Sequence, residues 1–289
     1  MWIWLALTFA VLSSINILLI KITLKKVDEY VMAWVGAFIG LPFLAVIILF
    51  FYQFPKVDSV FLIGVMGSAI LNIVAGLLSY RSIKISEMSL LAPISAFNPV
   101  FTMIVSLITL KEIPSTRGFA GVFVIALGAY LLNASVVKKG ILAPLKKLFS
   151  HRGVQLAMAC NLIWAITPTF EKTAIFHTTP NVPPFVSLAA GFLLSLFFLP
   201  IMLKKSKNPF SQIRMNIKVF LLMGVIGAIA SAAAFQAFSL AKLGYVTAIF
   251  KLSMLFNVVW GYLFLKEKGI RERLIGSIVM FAGVLILVV

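Results

Sequence analysis

Ten apolar runs of roughly spanning length follow one another along the chain, at 2–23, 31–52, 59–80, 88–110, 115–135, 153–175, 183–203, 217–240, 244–265 and 271–289, separated by short polar stretches. A run of about 20 such residues is what a helix needs to cross the hydrocarbon core. Backbone polar groups in lipid must be satisfied within the segment, and the alternating pattern of a membrane barrel is missing, so the runs predict helices. The expected fold class is an all-α integral membrane protein with ten transmembrane helices. Most connections are short, which makes consecutive helices antiparallel. The longest polar interruption, 136–152, carries Lys138, Lys139, Lys146, Lys147 and Arg152 and predicts a basic linker between units at 1–135 and 153–289.

The two units look like copies of each other. Leu110-Lys111-Glu112 recurs as Leu265-Lys266-Glu267, and the same shift of 155 carries Gly121 onto Gly276 and Gly128 onto Gly283. Apolar sequence matches itself by chance, but a charged pair at a helix end with two glycines seven apart does so rarely. Five helices per copy is an odd number, so the second copy enters the membrane from the opposite side. Inverted repeats around a central site are a signature of secondary transporters. In the first helix of each copy, a shift of 151 sets Lys21 on Lys172, which asks for a four-residue gap.

Composition narrows the class further. The chain is 62% hydrophobic and 11% charged with a mean hydropathy of +1.11, whereas soluble domains are about one quarter charged. Cys160 stands alone, so no disulfide framework or multi-cysteine metal site is expected, and His151 and His177 have no ligand companions. No phosphate-cradling loop, nucleophile elbow or convergent acid–base set appears. The expectation is therefore no catalytic residue, no metal, no cofactor and no enzyme. A net charge of +17 would suggest nucleic acid in a soluble protein. Here the basic residues lie in short loops and report orientation and lipid headgroups instead. Eighteen Lys and Arg fall on the side opposite the termini and five on the terminal side, which places both termini outside by the positive-inside rule. The first run lacks a basic leader and reads as a retained helix. Together these predict a multi-pass protein of the cell (inner or plasma) membrane, with the lipid bilayer as partner.

Ionisable groups inside apolar runs are functional-site candidates by default. Lys251 lies about 10 Å into the predicted ninth helix at 1.5 Å per residue. Its repeat counterpart is Ala96, so the charge belongs to one half. It reads as a cation facing a cavity, or else as a lysine snorkelling to the interface. Lys21 and Glu171 lie near the ends of the predicted first and sixth helices, either as interfacial anchors or as substrate and proton ligands. Glu171 is the carboxylate best placed to bind a proton, a cationic group or Lys251. Arg81 and its counterpart Gln236 each follow an aromatic residue and suit a pore mouth. Among uncharged polar residues, Asn16, Asn72, Asn98 and Asn161 either bridge helices or line a cavity, and Trp164 could shape one. Pro93, Pro99 and Pro168 interrupt predicted helices and free backbone carbonyls for gating or substrate contact. The ninth helix lacks the matching prolines. Gly36 and Gly40 form a G-x-x-x-G pair suited to close helix packing.

The passage Tyr80-Arg81-Ser82-Ile83 through Ser89, then Ala92-Pro93, Asn98-Pro99 and Leu110-Lys111-Glu112, with Gly121 and Gly276 following, resembles the EamA-type members of the drug/metabolite transporter superfamily across essentially the whole chain. The resemblance implies two five-helix repeats. It also implies export or uptake of small polar metabolites, amino acids and related compounds most often, by alternating access. Two repeats can supply a complete pathway by themselves, so a monomer is expected, with protons as a candidate coupling ion. Glu112 and Glu267 match the glutamates closing the fourth and ninth helices and are expected to be structural. Lys21 resembles a lysine late in the first helix. Members are usually drawn with both termini in the cytoplasm, against the charge count. Lys251, and the missing proline beside it, depart from the pattern. The reading from Lys251 is a substrate with an anionic group. The expected direction, which Lys251 does not bear on, is export. The alternatives are a multidrug or cation exporter, for which deep carboxylates are expected, and a lipid flippase or scramblase.

Overall fold

A computed structural model describes residues 1–85, 94–132, 151–265 and 270–288. Among the described residues the regular structure is helical apart from one two-residue ladder. The helices are α1 Trp2–Thr23, α2 Glu29–Phe38, α3 Leu41–Phe51, α4 Ser59–Ile85, α5 Asn98–Thr109, α6 Thr116–Leu131, α7 Arg152–Phe176, α8 Pro183–Lys205, α9 Pro209–Met215, α10 Ile217–Leu240, α11 Leu243–Phe250, α12 Ser253–Leu265 and α13 Ile270–Val288. Strands β1, Lys56–Val57, and β2, Thr178–Thr179, pair antiparallel. Among the described residues seven segments are long and apolar enough to cross a membrane: Trp2–Thr23, Glu29–Phe51, Ser59–Gly76, Arg152–Phe176, Pro183–Lys205, Ile217–Leu240 and Leu243–Phe264. Shorter apolar helices lie at Asn98–Thr109, Thr116–Leu131 and Ile275–Leu287. Pro93, Glu267 and nearly all of the predicted 136–152 linker fall outside the described residues.

Among the described residues three of the predicted runs are broken, the 88–110 run at Ala96–Phe97. The 31–52 run divides at Ile39–Gly40, because Pro42 has no N–H to donate to the carbonyl one turn back. The predicted ninth helix divides at Lys251–Leu252, between α11 and α12.

The chain forms two compact units. The first comprises Met1, residues 3–69 and 170–239; the second comprises Trp2, residues 70–169 and 240–289. In the first, α2 packs on α8 around Val31, Val35, Met202 and Phe220. Small residues let backbones meet: a Cβ on Gly224 would lie 2.6 Å from the Ile39 carbonyl oxygen. Connections are fastened at separate places in this unit. Asp28 caps α2, accepting from Tyr30 N at 3.1 Å and Val31 N at 3.0 Å. It also accepts from Ser206 Oγ and, at 2.8 Å, from Gln212 Nε2. Asp58 accepts from Phe61 N at 2.9 Å and pairs with His177 Nδ1 at 2.7 Å, beside the β1–β2 ladder.

Partial burial works against ionisation of Asp28, but the hydrogen bonds from Ser206, Val31, Gln212 and Tyr30 outweigh it and hold its carboxyl below the usual carboxylate range. The folded-state value is depressed, so this stabilisation is present at neutral pH and disappears as pH falls through that value. Asp28→Ala is expected to lower stability by about 1–2 kcal/mol, the size of a lost helix cap. The deficit should shrink in acid melts of the detergent-solubilised protein. An equal deficit at pH 7 and pH 3 would show that the carboxylate is not what is lost.

In the second unit α6 and α13 run antiparallel in close contact. A Cβ on Gly128 would meet Met280 N and lie 2.8 Å from the Gly276 carbonyl oxygen. One on Gly276 would meet Leu132 N and lie 2.8 Å from the Gly128 carbonyl oxygen. One on Gly283 would lie 2.6 Å from Ile125 N and 3.0 Å from the Gly121 carbonyl oxygen. The four glycines of the sequence repeat thus face one another across a single helix pair. The start of α11 is held by the α5–α6 connection: Glu112 Oε2 accepts from Leu243 N at 2.8 Å, and Lys242 Nζ donates to the Ile113 carbonyl.

Candidate functional site

The break at Lys251 is the most informative feature of the second unit. Leu252 N donates to Ile249 O at 3.0 Å, while Leu255 N and Phe256 N both reach Leu252 O, at 2.9 and 3.2 Å. The first copy does the same 155 residues earlier. Phe97 N donates to Ile94 O at 3.3 Å, and Val100 N and Phe101 N reach Phe97 O at 3.0 and 3.2 Å. Pro99 follows the first break and no proline follows the second, so the interruption belongs to the repeat and not to the proline. Lys251 sits in this interruption, half-buried, and among the described residues its ammonium has neither an acidic nor a hydrogen-bonding partner. A cation in an apolar segment without a counter-charge is costly unless a substrate, water or lipid headgroup supplies one.

The other candidates of this unit divide by environment. Asn98 Nδ2 donates to the Asn161 carbonyl at 3.0 Å, joining α5 to α7. Trp164 is 39% exposed, and Arg81 is exposed on α4. Pro168 lies inside α7, where it removes one backbone donor.

In the first unit, Glu171 Oε1 accepts from Ser68 Oγ at 2.8 Å. Asn16 Nδ2 reaches the Met223 carbonyl at 3.4 Å. The shift of 155 turns Asn16 into Glu171 and Ser68 into Met223, so these two contacts are the same contact in the two copies. The four-residue gap that would set Lys21 on Lys172 is therefore not needed. The two lysines differ accordingly: Lys21 is exposed, whereas Lys172 is 7% exposed and lies 5.9 Å over the Phe176 ring. Gln236 Oε1 accepts from Tyr52 OH at 3.1 Å, so its partner is a phenol at the end of α3.

Asn16 also borders a cavity of about 240 Å³ within this unit, shared with Gly36, Gly191, Gly227, Ser187 and Ser231. From sequence Asn16 was one polar residue among several, and nothing singled it out. A single chain does not tell which helix faces the hole beside a small residue. Among the described residues no group of three or more His, Cys, Asp or Glu side chains is placed to hold a metal ion.

Three comparisons with known proteins bear on this architecture. A search of curated proteins gives no match. A solved crystal structure, described only as that of a protein, superposes with a TM-score of 0.72 at 11% identity, over 99% of this chain and 96% of that one. That likeness shows the fold alone. The profile of the EamA-like transporter family matches residues 1–134 and again 151–289, nearly the whole chain in two repeats. Members of this family are membrane transporters of the drug/metabolite type, not enzymes, and the apolar helices described above fit a multi-pass integral membrane protein. The chain belongs to the EamA-like transporter family.

Proposed function

We propose that this protein is a secondary active transporter that exports small polar metabolites carrying an anionic group, amino acids or related organic acids, by alternating access. The observation that carries the reading is Lys251, a cation without a partner among the described residues, at a break in an apolar segment. Broken spans present backbone groups and half-helix ends to a substrate, and the lysine adds the charge that an anion requires. Ten spans in two inverted five-helix repeats at 1–135 and 153–289 would supply the two halves that alternate. The crossed pairing of Gly121 with Gly283 and Gly128 with Gly276 supports inversion, because equivalent residues meet crosswise only across an antiparallel two-fold pair. In this reading the protein works as a monomer of the inner or plasma membrane. Asn98 and Trp164 serve the pathway, and Arg81, Lys21 and Gln236 serve its mouths. Pro93 and Pro168 provide kinks, Pro99 accompanies the break of the first copy, Glu112 and Glu267 hold helix ends, and Glu171 carries the coupling proton.

Uptake into proteoliposomes tests it, with labelled amino acids and organic acids offered with and without a proton gradient. Lys251→Ala is expected to reduce uptake of the anionic substrate at least about tenfold, the effect of losing one charge-assisted hydrogen bond of about 1.5–3 kcal/mol. Lys251→Arg should retain part of it. Unchanged uptake of every anionic substrate in Lys251→Ala would sink the reading. A cationic substrate lost in Glu171→Ala alone would favour the drug-export alternative, and lipid scrambling without solute uptake would favour a flippase.

A further inference from the structure

The cavity beside Asn16 lies wholly within the first unit, and its lining residues come from α1, α2, α3, the α2–α3 junction, α8 and α10. None of them is ionisable. The polar groups it offers are the Asn16 amide and the Ser187 and Ser231 hydroxyls, and neither hydroxyl has a side-chain hydrogen bond among the described residues. Asn16 Oδ1 is buried and among the described residues has no donor. Among the described residues a single long bond, 3.4 Å from Nδ2 to Met223 O, holds the amide in place, and the terminal torsion of an asparagine is soft. The amide can therefore turn toward a guest. The space exists because the surrounding positions are small. A Cβ on Gly36 would find nothing within 4 Å, and one on Gly227 would come to 3.3 Å from Asn16 Nδ2.

We propose that the cavity bordered by Asn16, Gly36, Gly191, Gly227, Ser187 and Ser231 binds a small uncharged molecule bearing an N–H or O–H donor. The donor completes the orphaned Asn16 carbonyl, which is unfavourable to leave buried and unpaired. Absence of charge follows from walls that hold no ion to offset desolvation. Size follows from the volume of about 240 Å³, room for about eight water-sized groups at ~30 Å³ each. The repeat counterpart of Asn16 is Glu171, whose Oε1 already has a donor in Ser68. Among the described residues the amide is thus the member of the pair whose buried oxygen lacks a donor. This site goes beyond the transport reading and does not depend on it.

The test uses the whole protein in lipid nanodiscs, titrated calorimetrically with benzamide, benzaldehyde and benzoate, which share a shape and differ in donor and charge. Benzamide is expected to bind saturably and at least about tenfold more tightly than the other two, the value of one hydrogen bond to an otherwise unpaired group. Asn16→Leu and Gly36→Leu should each weaken it by a similar factor. Asn16→Leu should melt no lower than wild type, because it removes an unsatisfied carbonyl; a structural asparagine would melt lower. Gly36→Leu fills open space, so it keeps the test sharp even if Asn16→Leu folds poorly. Lys251→Ala should bind benzamide as wild type does, which separates this site from the proposed transport site. Failure of benzamide to bind saturably would overturn the proposal. So would equal binding of benzaldehyde with Asn16→Leu unaffected, the behaviour of an apolar void filled by lipid.

Discussion

Gly128→Ala is expected to lower the melting temperature of the detergent-solubilised protein by roughly 3–10 °C, from an overpacking cost of about 1–3 kcal/mol. Gly128→Leu should leave little folded protein. The reason is the identity of the atoms in the way. A Cβ on Gly128 meets the backbone nitrogen of Met280 and lies 2.8 Å from the Gly276 carbonyl oxygen. Backbone cannot rotate aside as a side chain does, so α6 and α13 must separate. Separation forfeits dispersion contacts along the whole pair, and in lipid close packing of small residues is a main source of helix association. Gly276→Ala should behave alike, since its Cβ meets Leu132 N and the Gly128 carbonyl oxygen. Because the two sites obstruct the same contact, the double variant should cost less than the sum of the singles. Gly36→Ala is the control, with nothing within 4 Å of its Cβ. Thermal melts followed by size-exclusion fluorescence decide it: wild-type stability in Gly128→Ala would mean that the helices do not meet there.

That contact was half legible in the sequence. The shift of 155 marked Gly121, Gly128, Gly276 and Gly283 as equivalent, but equivalence does not say that they touch. Lys251 was legible too, because a charge in an apolar run is conspicuous whatever the fold. The break beneath it was not, since proline was the signal for interruption and the second copy has none. There the copies share a backbone, through Ile94–Phe97 and Ile249–Leu252, after their sequences have parted. The division of the 31–52 run at Ile39–Gly40 leaves no mark in the hydropathy pattern, because Pro42 lies among residues as apolar as any in the chain. The likeness of Lys21 to Lys172 misleads for the opposite reason. Two like charges drew the alignment, while the structure pairs Asn16 with Met223 as it pairs Glu171 with Ser68, unlike side chains on like backbones.

That last correspondence gives the second large expected effect. Glu171→Gln should abolish proton-driven accumulation in proteoliposomes while leaving exchange of labelled for unlabelled substrate within about a factor of three. Glu171 is half-buried on α7, inside an apolar segment, and its Oε1 accepts from the Ser68 hydroxyl at 2.8 Å. As a carboxylate it can only accept; once protonated it gains an O–H that can donate. A single proton thus changes both the charge and the hydrogen-bonding sense of the position, a change that a coupled transporter can convert into a preference for one state over the other. Glutamine has the same shape and stays neutral, so it fixes one of the two conditions. The first copy already carries a neutral amide at this position, in Asn16, so the fold tolerates one. Ser68→Ala should move the pH profile of uptake without abolishing it, because the hydroxyl touches only one protonation state in the same way. A merely structural glutamate predicts something else: lower melting in Glu171→Gln, with accumulation and exchange falling together and the pH profile unmoved in Ser68→Ala. Accumulation lost with exchange kept identifies Glu171 as the group that carries the proton, whereas accumulation retained in Glu171→Gln assigns coupling to another residue.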